Sequence, residues 1–323
     1  EIQEATSLSP QEAAEEGDLA PKFVKMWPEL PESSLYFQHL GNAVVDSSGA
    51  VYVTDNERIQ KFTCSGTFIT KWGSRGSGEG QFITPRDMAL DASGNVYVAD
   101  TYNHRIQKFT SEGVFIAKWG SEGSGDGQFN RPWGVAADES GNVYVADTHN
   151  HRIQKFTSDG GFIAKWGSEG SGEGQFSYPC GVAVDESGNV YFTETGNNRI
   201  QKFTSEGDFI VKWGSEGSSD GEFKTPRDIG LDAVGNVYVL DARNHRVQVF
   251  DSRLKFLRSF GRKGQGPGDL GRPECIDVDA SGHVFIGDPG NGRIAVFDPE
   301  GKWLRAIPLP STNIIFRVMR NGD

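Results

Sequence analysis

The residues with the most chemical character in this sequence recur at one kind of place. A proline is followed by Arg86-Asp87, by Trp133, by Cys180, by Arg227-Asp228 and by Glu274, and Gly41 holds the matching position nearest the N-terminus. The next position also changes from copy to copy: Asn42, Asp87, Gly134, Gly181, Asp228, Cys275. Further along each copy a short polar turn varies too, with Tyr102, His149, Gly196, Arg243 and Pro289. Arginine offers a planar fork of donors suited to a carboxylate or a carbonyl, and Pro-Arg-Asp occurs twice. Either the two forks clamp a partner's carboxylate or carbonyl, or each Arg pairs with its own Asp or with Glu274 and plugs the site.

Other chemistry finds little support. No His-x-x-x-His, Cys-x-x-Cys or EF-hand loop occurs, and the absence of Cys-x-x-Cys-His excludes covalently attached c-type haem. We therefore expect no cofactor and no zinc or copper. The loops Gly123–Gly127 and Gly170–Gly174 carry Asp126 and Glu173, the wrong sign for phosphate, and they lead into a strand rather than a helix. Cys64, Cys180 and Cys275 are too few and odd in number for a disulfide framework. Cys180 has no histidine placed to lower its pKa.

The elements that position these residues follow from a repeat. Asp46, Asp91, Asp138, Asp185, Asp232 and Asp279 recur at spacings of 45, 47, 47, 47 and 47 residues. Each unit reads as four short strands joined by Gly/Asn turns, as in Gly134–Asp138, Val143–Asp147, Arg152–Phe156 and Phe162–Trp166. Four antiparallel strands at this period form a propeller blade, and blades must stack to bury both faces. The fold class is all-β, a six-bladed β-propeller, with Trp72, Trp119, Trp166, Trp213 and Phe260 packing between blades. Blades 2 and 5 are half a turn apart, so Arg86 and Arg227 should face each other across the axis, as should Trp133 and Glu274. The segment Phe23–Trp27 resembles a fourth strand and keeps its Trp, whereas Ile307-Pro308 has lost it. We expect residues 23–27 to complete the last blade.

Net charge is −12, from 32 Lys and Arg against 44 Asp and Glu, which argues against nucleic acid as a partner. No stretch approaches the length of a membrane span. Residues 1–20 hold six acids and no Lys or Arg, so residues 1–21 read as an acidic flexible tail, 22–310 as the propeller and 311–323 as a C-terminal tail. A sequence opening on Glu1 reads as a processed N-terminus, which leads us to expect an exported, extracytoplasmic protein, periplasmic or secreted.

Asn150-His151-Arg152-Ile153-Gln154 and Pro132-Trp133-Gly134-Val135-Ala136-Ala137-Asp138, repeated as Asn103–Ile106 and Asn244–Val247, resemble the NHL-repeat family over residues 23 to about 307. The resemblance implies a six-bladed propeller used variously as an extracellular sensor, an RNA-binding module, a lyase or a scaffold. In the Asp147/Arg152 pair and its copies it implies a structural clamp. Amidating-lyase members place metal-binding histidines just after the leading proline. Here those places hold Gly41, Arg86, Trp133, Cys180, Arg227 and Glu274, a departure that removes most of the case for that activity. The expectation is a non-enzymatic scaffold that holds a protein or peptide, in a larger extracellular assembly or a homo-oligomer. Its binding residues would be Arg86, Asp87, Trp133, Cys180, Arg227, Asp228, Glu274, Tyr102, His149 and Arg243 at the channel mouth. The alternative is a propeller lyase or hydrolase, similar to streptogramin lyases or lactonases, using Asp87, Asp228 and Glu274 with Ca²⁺ or Mg²⁺.

Overall fold

Each unit of 45–47 residues becomes one four-stranded antiparallel sheet. The structure is a computed structural model that describes residues 40–308. Blade 3 runs Val135–Ala137, Val143–Asp147, Arg152–Phe156, Phe162–Trp166, each strand paired with the next in the chain. The other five blades repeat this order, and consecutive innermost strands touch around a closed circle that includes the sixth and the first. Helical structure among the described residues is limited to three-residue 3-10 turns such as Thr148–Asn150. No helix there is long and apolar enough to cross a membrane.

The alternation in sequence explains the layering. The second strand of each blade is buried along its whole length, as an apolar run flanked by sheets on both sides should be. The fourth strand alternates between half-buried and exposed. Its Trp seals the gap to the next blade. Trp119 lies edge-on to Tyr97 at 6.2 Å and tilted against Phe156 of the next blade at 5.9 Å. It also covers Gly160, where an added Cβ would come within 2.6 Å of the indole and where φ is +87°. Glycine is therefore required twice over at that turn.

The repeated Asp and Arg form a clamp. Asp147 is fully buried and accepts hydrogen bonds from Asn150 Nδ2 (2.9 Å), Arg152 Nε (2.7 Å), Gln154 Nε2 (3.1 Å) and the Asn130 N–H (2.7 Å). Arg152 donates onward to the carbonyls of Ser124, Gly125 and Gln128, at 2.5, 2.7 and 2.8 Å. The glycine-rich loop is thus fastened to the blade, and its carbonyls are satisfied by one guanidinium. The turn histidines His104, His151 and His245 sit at φ of 54°, 51° and 55°, a left-handed conformation that closes each 3-10 turn.

Closure differs from expectation. Trp303–Pro308 is the fourth strand of the last blade, with Ile294 opposite Ile307 and Ala295 opposite Ala306. Residues 23–27 lie outside the described residues, and the place assigned to them is taken. The position needs an apolar group rather than an indole: Ile307 is buried with Ala43, Val51, Val53, Phe62 and Phe285, in the cluster that joins blades 6 and 1. The Val45 N–H donates to Asp277 Oδ2 at 2.7 Å across the same seam, and Arg305 reaches the Cys64 carbonyl at 3.2 Å.

Candidate functional site

The inner strands begin at one end of the axis, and that brings the variable positions together. A cavity of about 180 Å³ opens there. Its walls include Asn56, Thr84, Arg86, Trp133, Arg227 and Glu274. Asn42, Asp87 and Asp228 line both this cavity and a second one, of about 240 Å³, further along the channel, so they form a partition between the two.

Arg86 and Arg227 arrive from opposite blades and meet over one ring. Their guanidinium carbons lie 4.2 and 5.4 Å from the centre of the Trp133 indole, within cation–π range. Their other partners differ. Arg227 Nη2 pairs with Glu274 Oε2 at 2.8 Å, and Glu274 Oε1 takes Arg272 Nε at 3.3 Å. Arg86 has no carboxylate and no hydrogen-bond acceptor among the described residues, and its Nε is buried without a partner. Burial, and then the charge of Arg227, pushes the Arg86 guanidinium below its ordinary pKa. Of the two sequence readings, pairing with Glu274 describes Arg227, and an open fork describes Arg86.

Asp87 and Asp228 do not present themselves to the mouth. Asp87 Oδ1 accepts from the Met88 N–H and from Asn42 Nδ2, and its Oδ2 accepts from the Val135 N–H of the next blade at 2.8 Å. Asp228 accepts from Ile229 N (2.9 Å) and, again in the next blade, from Ile276 N (2.8 Å). These are inner-strand amides on the channel side, where no further strand can satisfy them, so a carboxylate does. Asp277 repeats the device with Val278 and Val45. Burial, reinforced by Asp228, raises Asp87 well above the usual carboxylate range, and burial lifts Asp228 to about 6 and Asp277 to about 7. The sequence reading missed Asp277. Its signal was a break in pattern, because it occupies a place held by Val44, Ala89, Ala136, Ala183 and Gly230 in the other copies.

Cys180 is also placed otherwise than expected. It is 1% exposed, its Sγ donates to the Tyr178 carbonyl at 3.3 Å, and burial pushes the thiol to about 11. It packs the blade and is not a mouth group. Cys275 is likewise buried, and Cys64 is exposed.

Tyr102, His149 and Arg243 are exposed and do not line this cavity; Arg243 lines a neighbouring cleft with Trp133 and Arg227. Two residues that sequence reasoning passed over join them. Arg131 stacks on the Tyr102 ring at 4.9 Å, and Tyr178 meets His149 and His151 edge-on at 5.6 and 4.8 Å. Partial burial and then Arg131 hold His149 below its usual pKa, so it is neutral at pH 7. Arg131, Tyr178, Thr84 and Thr225 each precede the leading proline at φ of 51–54°. A left-handed backbone at non-glycine residues stores strain, and here it is concentrated at the mouth. Among the described residues no group of three or more His, Cys, Asp or Glu is gathered to hold a metal.

The repeat pattern has a known counterpart. NHL repeats match at residues 82–109, 129–156 and 176–203, each running from the glycine-loop phenylalanine to the end of a blade's third strand. The chain carries NHL repeats within its six-bladed propeller. Residues 230–319 match the SMP-30/gluconolactonase/LRE-like region. The peptidyl-glycine alpha-amidating monooxygenases of Mus musculus and Rattus norvegicus are 49% and 47% identical to it over 55 residues, 15% of this chain and 6% of theirs. The chain thus spans a small part of the curated relatives it matches.

Among solved structures, a streptogramin B lyase superposes with a TM-score of 0.63 at 15% identity, covering 86% of this chain and 87% of that one. Virginiamycin B lyase from Staphylococcus aureus gives 0.60 at 18%, with coverage of 83% and 84%. A chain of the nidogen/laminin complex gives 0.61 at 16%, with coverage of 80% and 93%. At these identities the likeness is one of fold.

Proposed function

We propose that this propeller is a binding module that holds a protein or peptide partner on the mouth face. The observation that carries the reading is where near-identical repeats differ. Differences gather at one end of the channel, where Arg86 and Trp133 line a small cavity and Tyr102, Arg131, His149, Tyr178 and Arg243 lie in the turns and proline-leading loops at the same strand ends. A rigid ring that presents varied aromatic and basic side chains from loops suits recognition. A nidogen/laminin structure among the likenesses shows that such a ring occurs in a protein–protein complex. The acidic glycine loops outside the basic centre, with Glu122, Asp126, Glu169 and Glu173, disfavour a long polyanion such as nucleic acid. Export remains part of the proposal; fractionation of source cells tests it, and a wholly cytoplasmic location would remove it.

The test is site-specific photo-cross-linking. A probe at Tyr178 or Arg243 should capture a partner polypeptide, whereas one at Glu139, on the opposite face, should not. The purified partner should then lose about 2–5 kcal/mol of affinity when Arg86 and Arg227 are both changed to alanine. Capture from Glu139 alone would place the interface elsewhere.

A second reading, a propeller lyase or hydrolase, draws on the match at residues 230–319 and the lyase likeness. It needs Asp87, Asp228 and Glu274 as ligands for Ca²⁺ or Mg²⁺. In the structure Asp87 and Asp228 hold backbone amides and Glu274 holds two arginines, so these residues do not fit a divalent-cation site, and binding is the reading the arrangement favours. Metal-dependent turnover of a lactone or of a streptogramin would reverse that order.

A further inference from the structure

Arg86 is the group at the mouth that the rest of the fold leaves unanswered. Its Nε is buried with no partner among the described residues, and its guanidinium carbon lies 4.2 Å from the centre of the Trp133 indole. Glu274, one of the acids in the cavity wall, is already shared by Arg227 and Arg272. The carboxylates beneath are committed to amides of their own and of the next blade. A half-buried cation without a counter-ion is costly, and the stack on Trp133 recovers only part of that cost.

We propose that the mouth cavity is a socket for a single carboxylate carried by a polypeptide partner, received by the Arg86 fork against the Trp133 face. The inference rests on the mouth-binding reading and names its chemistry. Three observations select the ligand class. The cavity, at about 180 Å³, is smaller than the ~300–1,000 Å³ of drug-sized pockets, and suits the end of one side chain or a chain terminus. One open fork matches one planar monoanion bidentately. Glu274 in the wall penalises a second negative charge, which disfavours phosphate.

The test uses the full chain labelled with ¹⁵N at arginine Nε, titrated with sodium acetate, sodium chloride and inorganic phosphate at matched ionic strength. The Arg86 Nε resonance should shift saturably with acetate and not with chloride. Because the Arg86 variants lack that nitrogen, they are read at the ¹⁵N-labelled Trp133 indole N–H beneath it, whose acetate-dependent shift in the unmodified chain R86Q should abolish. R86K, which keeps the charge but not the fork, should weaken it by about tenfold, with unchanged melting temperatures showing that both variants fold. Should R86Q fail to fold, W133L, which removes the stacking face, serves as the second variant and should weaken acetate by a similar factor. A flat acetate titration overturns the socket, and so does a tighter response to phosphate. A partner cross-linked at Tyr178 that ignores both acetate and R86Q overturns the socket and leaves the mouth reading standing. An acetate-responsive Arg86 with no partner at the mouth does the reverse. Partners with amidated termini and partners with Asp and Glu replaced by Asn and Gln then tell a terminal carboxylate from a side-chain one.

Discussion

Arg152 and Arg86 are both arginines at the same end of the same ring, and they have opposite circumstances. Arg152 donates to Asp147 and to three loop carbonyls, and every part of its fork is used. Arg86 has an aromatic face behind it and no acceptor among the described residues. The first is repeated in the other blades, as Arg105 with Asp100 and Arg246 with Asp241; the second is not. A residue type says little about role until one asks whether its hydrogen-bonding capacity is met inside the fold. Where it is met, the residue is scaffold. Where it is left open at a rigid rim, it is available to something else.

That contrast can be broken most sharply by deletion. Arg152→Ala should cost about 3–5 kcal/mol in a denaturant melt, because it leaves Asp147 buried without its cation, whereas Arg86→Ala should change stability by less than about 1 kcal/mol or raise it. Equal losses would mean that Arg86 is scaffold after all. Trp166→Ala should cost about 3 kcal/mol, a cavity effect, because the indole packs on Tyr144, Phe192 and Phe203 between blades. It should leave acetate binding at the mouth unchanged.

Acidity sharpens the comparison next. Asp228 and Asp277 have folded-state pKa values raised to about 6 and 7, above the unfolded value of about 3.9. The folded state therefore binds these protons more tightly. Their contribution to stability is fully present below about pH 4 and is lost as pH rises through 6–7. The melting temperature should rise as pH falls from 8 to about 5, and Asp277→Asn should flatten that slope. A slope unchanged in the variant would assign the effect elsewhere. The smallest expected effect is at Thr225, a β-branched residue at φ 54°. Thr225→Gly should gain up to about 1 kcal/mol by relieving strain, and a loss would show that the Thr225 side chain supports the loop.

The blade count, strand order, inter-blade tryptophans and Asp–Arg clamps were legible because they recur. Six copies average out local ambiguity, and a period of 47 residues leaves few architectures. The convergence of Arg86, Arg227, Trp133 and Glu274 was legible from blade number alone, since half a ring separates blades 2 and 5. What failed to show was direction. Nothing in Pro-Arg-Asp says that the Asp turns to a neighbouring blade's amide while the Arg stays at the mouth. Cys180 stood in a variable position yet faced inward. Arg131 and Tyr178 were hidden because the residue before a proline is not where one looks for a displayed side chain. The closing strand was misjudged because a lost tryptophan was taken as a lost strand, when Ile307 fills the same space.

The seam between blades 6 and 1 has a kinetic meaning. Every blade is woven from one continuous stretch of chain, so hairpin contacts join residues close in sequence and can form early. Among the described residues, neighbouring blades elsewhere are joined by bonds about 50 positions apart, whereas the seam bonds Val45 to Asp277 across 232 positions and Arg305 to Cys64 across 241. Loop-closure entropy falls almost wholly on that single step. The ring should therefore assemble as an open arc whose final act is to shut, and the same junction should be the first to part when the chain is pulled by its ends.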